Sequence, residues 1–136
     1  MNFRNALFSY LIALPVFFAV DMLWLAVIAV DFYPRHIGHL LGPVNWTAAG
    51  LFYAMFIAGI VLFGVRPGLA AGSVKTAALW GGLFGFFTYA TYDLTNMATL
   101  AGWPWVVVMA DIAWGIALCA TVSAITCRLA LRWLVR

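Results

Sequence analysis

Three aspartates, Asp21, Asp93 and Asp111, are the lone carboxylates of long apolar runs, and the only other acidic residue, Asp31, sits beside a stretch rich in turn residues. Two of them are followed three residues later by an indole, in DMLW (Asp21, Trp24) and DIAW (Asp111, Trp114). That spacing puts acid and ring on one face of a helix. Asp93 stands in YDLTN between Tyr92 and Asn96. A carboxylate beside an indole suits an ammonium group or a protonated base, because the acid supplies charge while the ring offers a cation-binding face and a wall against water. Clustered carboxylates also hold and pass protons. Asp21, Trp24, Tyr92, Asp93, Asn96, Asp111 and Trp114 are therefore the candidate binding residues, provided the chain brings them together.

The elements that must do so are set by the solvent. Of the 136 residues, 67% are hydrophobic and 8% charged, and the mean hydropathy is +1.07, whereas soluble domains carry about 25% charged residues. So few polar side chains cannot cover a water-facing surface, and the composition predicts an integral membrane protein of one domain. The net charge of +3 comes from residues scattered near helix ends, with no stripe to track phosphates, which excludes a nucleic-acid partner. Cys119 and Cys127 stand eight apart in the last apolar segment, without metal-ligand spacing, and read as packing residues. His36 and His39 lack a third ligand in sequence, so neither a metal nor a cofactor is expected.

The apolar segments are 6–30, 46–65, 76–100 and 104–127, each near the roughly 20 residues a helix needs to cross about 30 Å of hydrocarbon. They predict an all-α four-helix membrane bundle. Barrel strands would be shorter and would alternate in polarity. The first segment is longer than the apolar core of a signal peptide and is expected to be retained. Turn residues mark loops at YPRHIGHLLGPVNW (33–46), RPGLAAGSVK (66–75) and the tight AGWP (101–104), where Pro104 suits the start of the last helix. A proline at position 15 predicts a kink in the first helix.

Threading four helices puts Arg4, Arg66, Lys75, Arg128, Arg132 and Arg136 on one side and Arg35 on the other. By the positive-inside rule both termini are then cytoplasmic, and the loop with Asp31, His36 and His39 faces out with Trp103 and Trp105, which suit an interfacial belt. Asp21, Asp93 and Asp111 lie 17, 18 and 17 residues from the basic anchors Arg4, Lys75 and Arg128. At 1.5 Å per residue this is about 25 to 27 Å, a single level in the outer half. An ionised aspartate near a helix centre costs roughly 2.5 to 3.5 kcal/mol, less toward the interface. No Lys or Arg inside the spans neutralises the three, so either some are protonated and hydrogen-bonded or a cation joins them. The structural alternative is protonated aspartate as interhelical glue to Asn, Thr or carbonyl groups. On the third segment Gly82, Gly85, Tyr89, Asp93 and Asn96 share a face, and Gly81 with Gly85 forms a small-xxx-small pair suited to close packing.

The segment TYDLTNMATLAGWPWVVVMADIAWG (91–115), with DMLWL before the first loop and FYPRHIGHLL within it, resembles a family of small bacterial inner-membrane proteins, domain of unknown function 2177. The resemblance covers nearly the whole chain. It implies a multi-pass inner-membrane protein and supports the choice of Asp21, Asp93, Asn96 and Asp111, but it brings no reaction. Three function classes follow from the residues. The first is binding or transport of a proton, cation or small amine in an outward-facing acidic pocket; four helices are few for a transporter, so this class implies a homo-oligomer. The second is a membrane-lipid-modifying enzyme or its accessory protein, with a carboxylate as general acid or base near the head groups. The third is a structural subunit of a larger membrane complex. Membrane lipid is an expected partner in each.

Overall fold

Short polar side chains write the helix starts. Asn2 accepts from the Asn5 amide at 2.8 Å and opens α1 (Phe3–Leu23). Asn45 accepts from the Ala48 amide at 3.0 Å and opens α3 (Trp46–Ile60). Ser73 accepts from the Thr76 amide at 3.2 Å and opens α5 (Val74–Thr99). Each side chain satisfies an amide that the first helical turn leaves without a partner. The last helix, α6 (Trp105–Leu134), follows Pro104, whose carbonyl accepts from the Val107 amide at 3.1 Å. The computed structural model describes residues 1–134, so Arg136 lies outside the described residues. Among these residues the protein is all helix, with no strand.

Two helices run on past their regular ends through wide, π-helical turns. One, Trp24–Ile28, extends α1 to a length of 26 residues; the other, Val61–Val65, joins α3 directly to α4 (Arg66–Ala71). The predicted end of the second helix at residue 65 is therefore corrected to Ala71, despite Pro67. Proline has no N–H for the carbonyl four residues back and its ring presses on that carbonyl; a wide turn immediately before it makes the room. The expected 66–75 loop shrinks to Gly72 and Ser73. Gly72 takes the left-handed conformation, φ +60°, and the Ser73 amide returns to the Gly68 carbonyl at 2.9 Å, closing the helix end. The first loop is also less irregular than expected, holding α2 (Phe32–Ile37) and a 3-10 turn, Gly38–Leu40. The last helix outruns its expected end at residue 127 by two turns.

The helices run end to end. At one end the Phe8 and Trp133 rings pair at 6.0 Å, and the Cys127 thiol approaches the Ser73 carbonyl at 4.0 Å. Both described termini thus meet the α4–α5 turn there, together with Arg4, Arg66, Lys75, Arg128 and Arg132. At the other end His39 lies against Gly102, joining the two opposite loops. Antiparallel α5 and α6 share the most extensive interface of the molecule, with α1 on the other side of α6. Glycines set the α5–α6 distance: a Cβ on Gly85 would fall on the Gly115 carbonyl, and one on Gly81 on the Ser123 side chain. The expected close-packing role of Gly81 and Gly85 is what the backbone shows.

The core is a column of residues where α1, α3 and α6 meet, with Ala13 and Phe17, Ile57 and Ile60, and Leu118, Cys119 and Val122 all fully buried. Cys119 and Cys127 are both free and buried within it, as packing residues. Large apolar side chains such as Leu11, Leu79 and Met109 point outward instead. Three helices, Phe3–Ile28, Trp46–Ala71 and Trp105–Leu134, are long and apolar enough to cross a membrane. The 26-residue α5 is not among them, because three glycines, five threonines, Asp93 and Asn96 dilute its apolar character.

Candidate functional site

Helical spacing buries one face of α1 every four residues: Ser9, Ala13, Phe17 and Asp21. The same logic on α5 buries Gly81, Gly85 and Asp93, and on α6 Asp111, Gly115 and Leu118. All three aspartates therefore point inward, at 6%, 0% and 6% exposure for Asp21, Asp93 and Asp111.

They do not form one cluster of three. The Asp93 and Asp111 carboxyls are close neighbours. Asp93 Oδ1 also accepts from the Trp103 indole at 3.3 Å, and Asp111 Oδ1 from the Tyr33 hydroxyl at 2.5 Å. Tyr33 in turn accepts from the Trp24 indole at 3.0 Å. Asp21 stands apart, accepting from the Trp114 indole at 3.4 Å. The pairing of acids with indoles follows from the antiparallel run of α1 and α6. Trp24 follows Asp21 toward the loop end, while Trp114 follows Asp111 away from it, so each indole meets the other helix's aspartate, directly or through Tyr33.

This crossing decides what the indoles do. Trp24 and Trp114 stack on each other, 4.8 Å between centroids and 9° between planes. One face of each ring is thus taken by its neighbour, and their N–H edges serve the carboxylates. The rings support the acids as donors more than as open faces for a cation.

Above the stack lies a cavity of about 250 Å³. Asp21 and Asp111 supply its acid groups; Trp24, Trp114, Tyr33, Tyr89, Tyr92 and Trp103 wall it; Ile37 and Leu41 from the first loop cover it. Among the described residues no basic side chain lines it. Asp93 is just behind, and its Oδ2 is buried without a donor. Tyr92 is 57% exposed, packs edge-on against Trp103 at 5.8 Å, and has Asn96 within hydrogen-bonding reach of its hydroxyl. Asn96 itself is half-buried and does not line the cavity.

Two participants were not among the predicted site residues. Tyr33 comes from α2, in the loop. Burial, and then the bond it gives to Asp111, raise its pKa above the usual tyrosine range and keep it a donor. Trp103, expected in an interfacial belt, is instead 8% exposed and bonded to Asp93, whereas Trp105 is 63% exposed. The histidines do not converge: His36 Nδ1 engages the Phe32 carbonyl of its own helix at 2.8 Å, and His39 sits by Gly102.

The model of the family described as "Predicted membrane protein (DUF2177)" matches residues 6–128, which span every element of this site. The chain belongs to the DUF2177 family. No curated protein and no solved structure matches the chain. Membership agrees with the three helices able to span a membrane and assigns no reaction, so the chemistry of the family's site in this chain rests on its geometry.

Proposed function

We propose that the protein is a four-span inner-membrane protein of bacteria, with both termini cytoplasmic and a single bundle domain, whose acidic pocket opens outward and binds a protonated amine or another small cation. The observation that carries this reading is the cavity itself: two carboxyls line it, a third lies behind, and no basic side chain offsets them. Asp93 and Asp111 are neighbouring acids in a low-dielectric interior, where like charge favours a proton or a cation beside them. The fourth span is α5, since it packs along α6 from Ser73 beside Cys127 at one end to Asp93 beside Trp103 near the other. Five described basic residues at the end that holds both termini support the orientation.

Fully buried Ala13, Phe17, Leu118 and Val122 separate the pocket from the basic end. The pocket is therefore a binding site open to one side. Transport would require a second conformation and, with so few spans, a homo-oligomer.

The test is binding of methylammonium and tetramethylammonium to the full chain in lipid nanodiscs, read by tryptophan fluorescence and by thermal shift. Asp21→Asn keeps shape and the acceptor for Trp114 but removes the charge. It is expected to weaken binding about tenfold or more, since hydrogen bonds to charged groups are worth about 1.5–3 kcal/mol. Equal affinity in both proteins, or no binding in either, overturns the reading and leaves the aspartates as structural glue.

A further inference from the structure

A second hollow, of about 520 Å³, adjoins the acidic cavity. Phe52 and Phe56 of α3 form one wall, and Thr88, Tyr89 and Tyr92 of α5 the other. Tyr89 and Tyr92 line both spaces, so the two hollows share a partition of two phenol rings. The cause lies in how the helices diverge. Gly64 and Gly81 bring the two rods together at the level of Ser123, and the Phe63–Phe84 and Phe56–Phe84 ring pairs, at 5.5 and 5.3 Å, bridge them farther along. Beyond Phe56 and Tyr89 the gap opens on the outer surface, where Phe52 and Tyr92 are about half exposed. In a membrane that surface is in contact with lipid.

We infer that the two hollows form one site for an amphiphile: an amine head group without phosphate in the acidic cavity, and an alkyl chain in the groove between α3 and α5. The inference rests on the proposed pocket and names its ligand class. Charge complementarity selects the head. The cavity has carboxyls and no Arg, Lys or His on its wall to hold a phosphate, so a phospholipid head group would meet repulsion there. Asp93 Oδ2, fully buried and without a donor beside Asp111, leaves the acid pair short of one proton or positive charge. The groove selects the tail. Its walls are rings and a threonine whose hydroxyl is turned back to the Phe84 carbonyl at 2.8 Å, so it offers a chain nothing polar except the two phenols at its boundary with the cavity. The volume exceeds what a few waters fill, each taking about 30 Å³.

The experiment is photolabelling of the full chain in nanodiscs with an alkylamine bearing a diazirine in mid-chain, followed by mapping of the adducts. Adducts are expected on the groove walls, at Phe52, Phe56 and Thr88. Excess methylammonium should remove them by taking the head site, and Thr88→Phe or Phe52→Trp, which fill the groove, should also remove them. Either variant serves if the other fails to fold. Methylammonium binding that persists in both groove variants would show that the head site is intact. A lysophosphatidylethanolamine probe of the same chain should leave the groove unlabelled. If methylammonium binds but adducts spread evenly over outward residues such as Leu11 and Leu79, the groove inference fails and the pocket stands. If methylammonium does not bind, the pocket reading itself fails. Equal labelling by the phosphate-bearing probe overturns the head-group selection.

Discussion

Tyr33 is the residue on which the network turns, because its hydroxyl takes the Trp24 indole proton and gives its own to Asp111. Tyr33→Phe leaves a buried carboxylate oxygen and an indole N–H unpaired. The variant should unfold more easily by about 1–3 kcal/mol, measured as a lowered thermal midpoint in detergent. The effect has a pH signature. A tyrosine whose folded pKa is raised contributes its stabilisation fully below the unfolded value of about 10 and loses it as pH climbs beyond. The gap in thermal midpoint between wild type and Tyr33→Phe should therefore hold steady from neutral pH to about 9 and narrow above 10. A gap that widens with alkali contradicts this. At this scale the sequence was legible for the acids: lone carboxylates in apolar helices had to face inward, and Asp21, Asp93 and Asp111 do. Their donors were not legible, because Tyr33 and Trp103 reach the site from loops whose path no helical period describes. The usable signal was the lack of Lys and Arg within the spans, which leaves polar aromatics at the loop ends as the nearest donors.

Helix contact distances depend on glycines that differ sharply in what surrounds them. A methyl group on Gly85 would overlap the Gly115 carbonyl, whereas on Gly82 its nearest neighbour is 3.6 Å away, an ordinary contact. Gly85→Ala should force α5 from α6 and cost about 1–3 kcal/mol or more, while Gly82→Ala should be near neutral. Chemical denaturation of the two variants side by side checks this, and equal losses would mean that helix propensity rather than packing governs the interface. The four long apolar stretches were readable to within a few residues at their starts, since Asn45 and Ser73 are strong caps. The helix that runs through Arg66 and Pro67 was not. Proline reads as a break in any regular period, and a wide turn at Val61–Val65 has no compositional mark.

For the whole molecule, the two ends differ in charge and in openness. Arg4, Arg66, Lys75, Arg128 and Arg132 gather at the end that holds the described termini, and the cavity lies toward the other. A reporter fused after residue 136 should behave as cytoplasmic and one inserted at Gly42 as external; the reverse pattern would turn the site to the cytoplasm. The stacked pair Trp24–Trp114 joins the first long helix to the last beside the cavity. Two indoles face to face at 4.8 Å share their electronic excitation, so the protein contains its own optical ruler. Any motion that parts α1 from α6 would uncouple the rings. The near-ultraviolet circular dichroism of the unlabelled chain would then change before any helix is lost, giving a direct spectroscopic measure of how far the bundle opens.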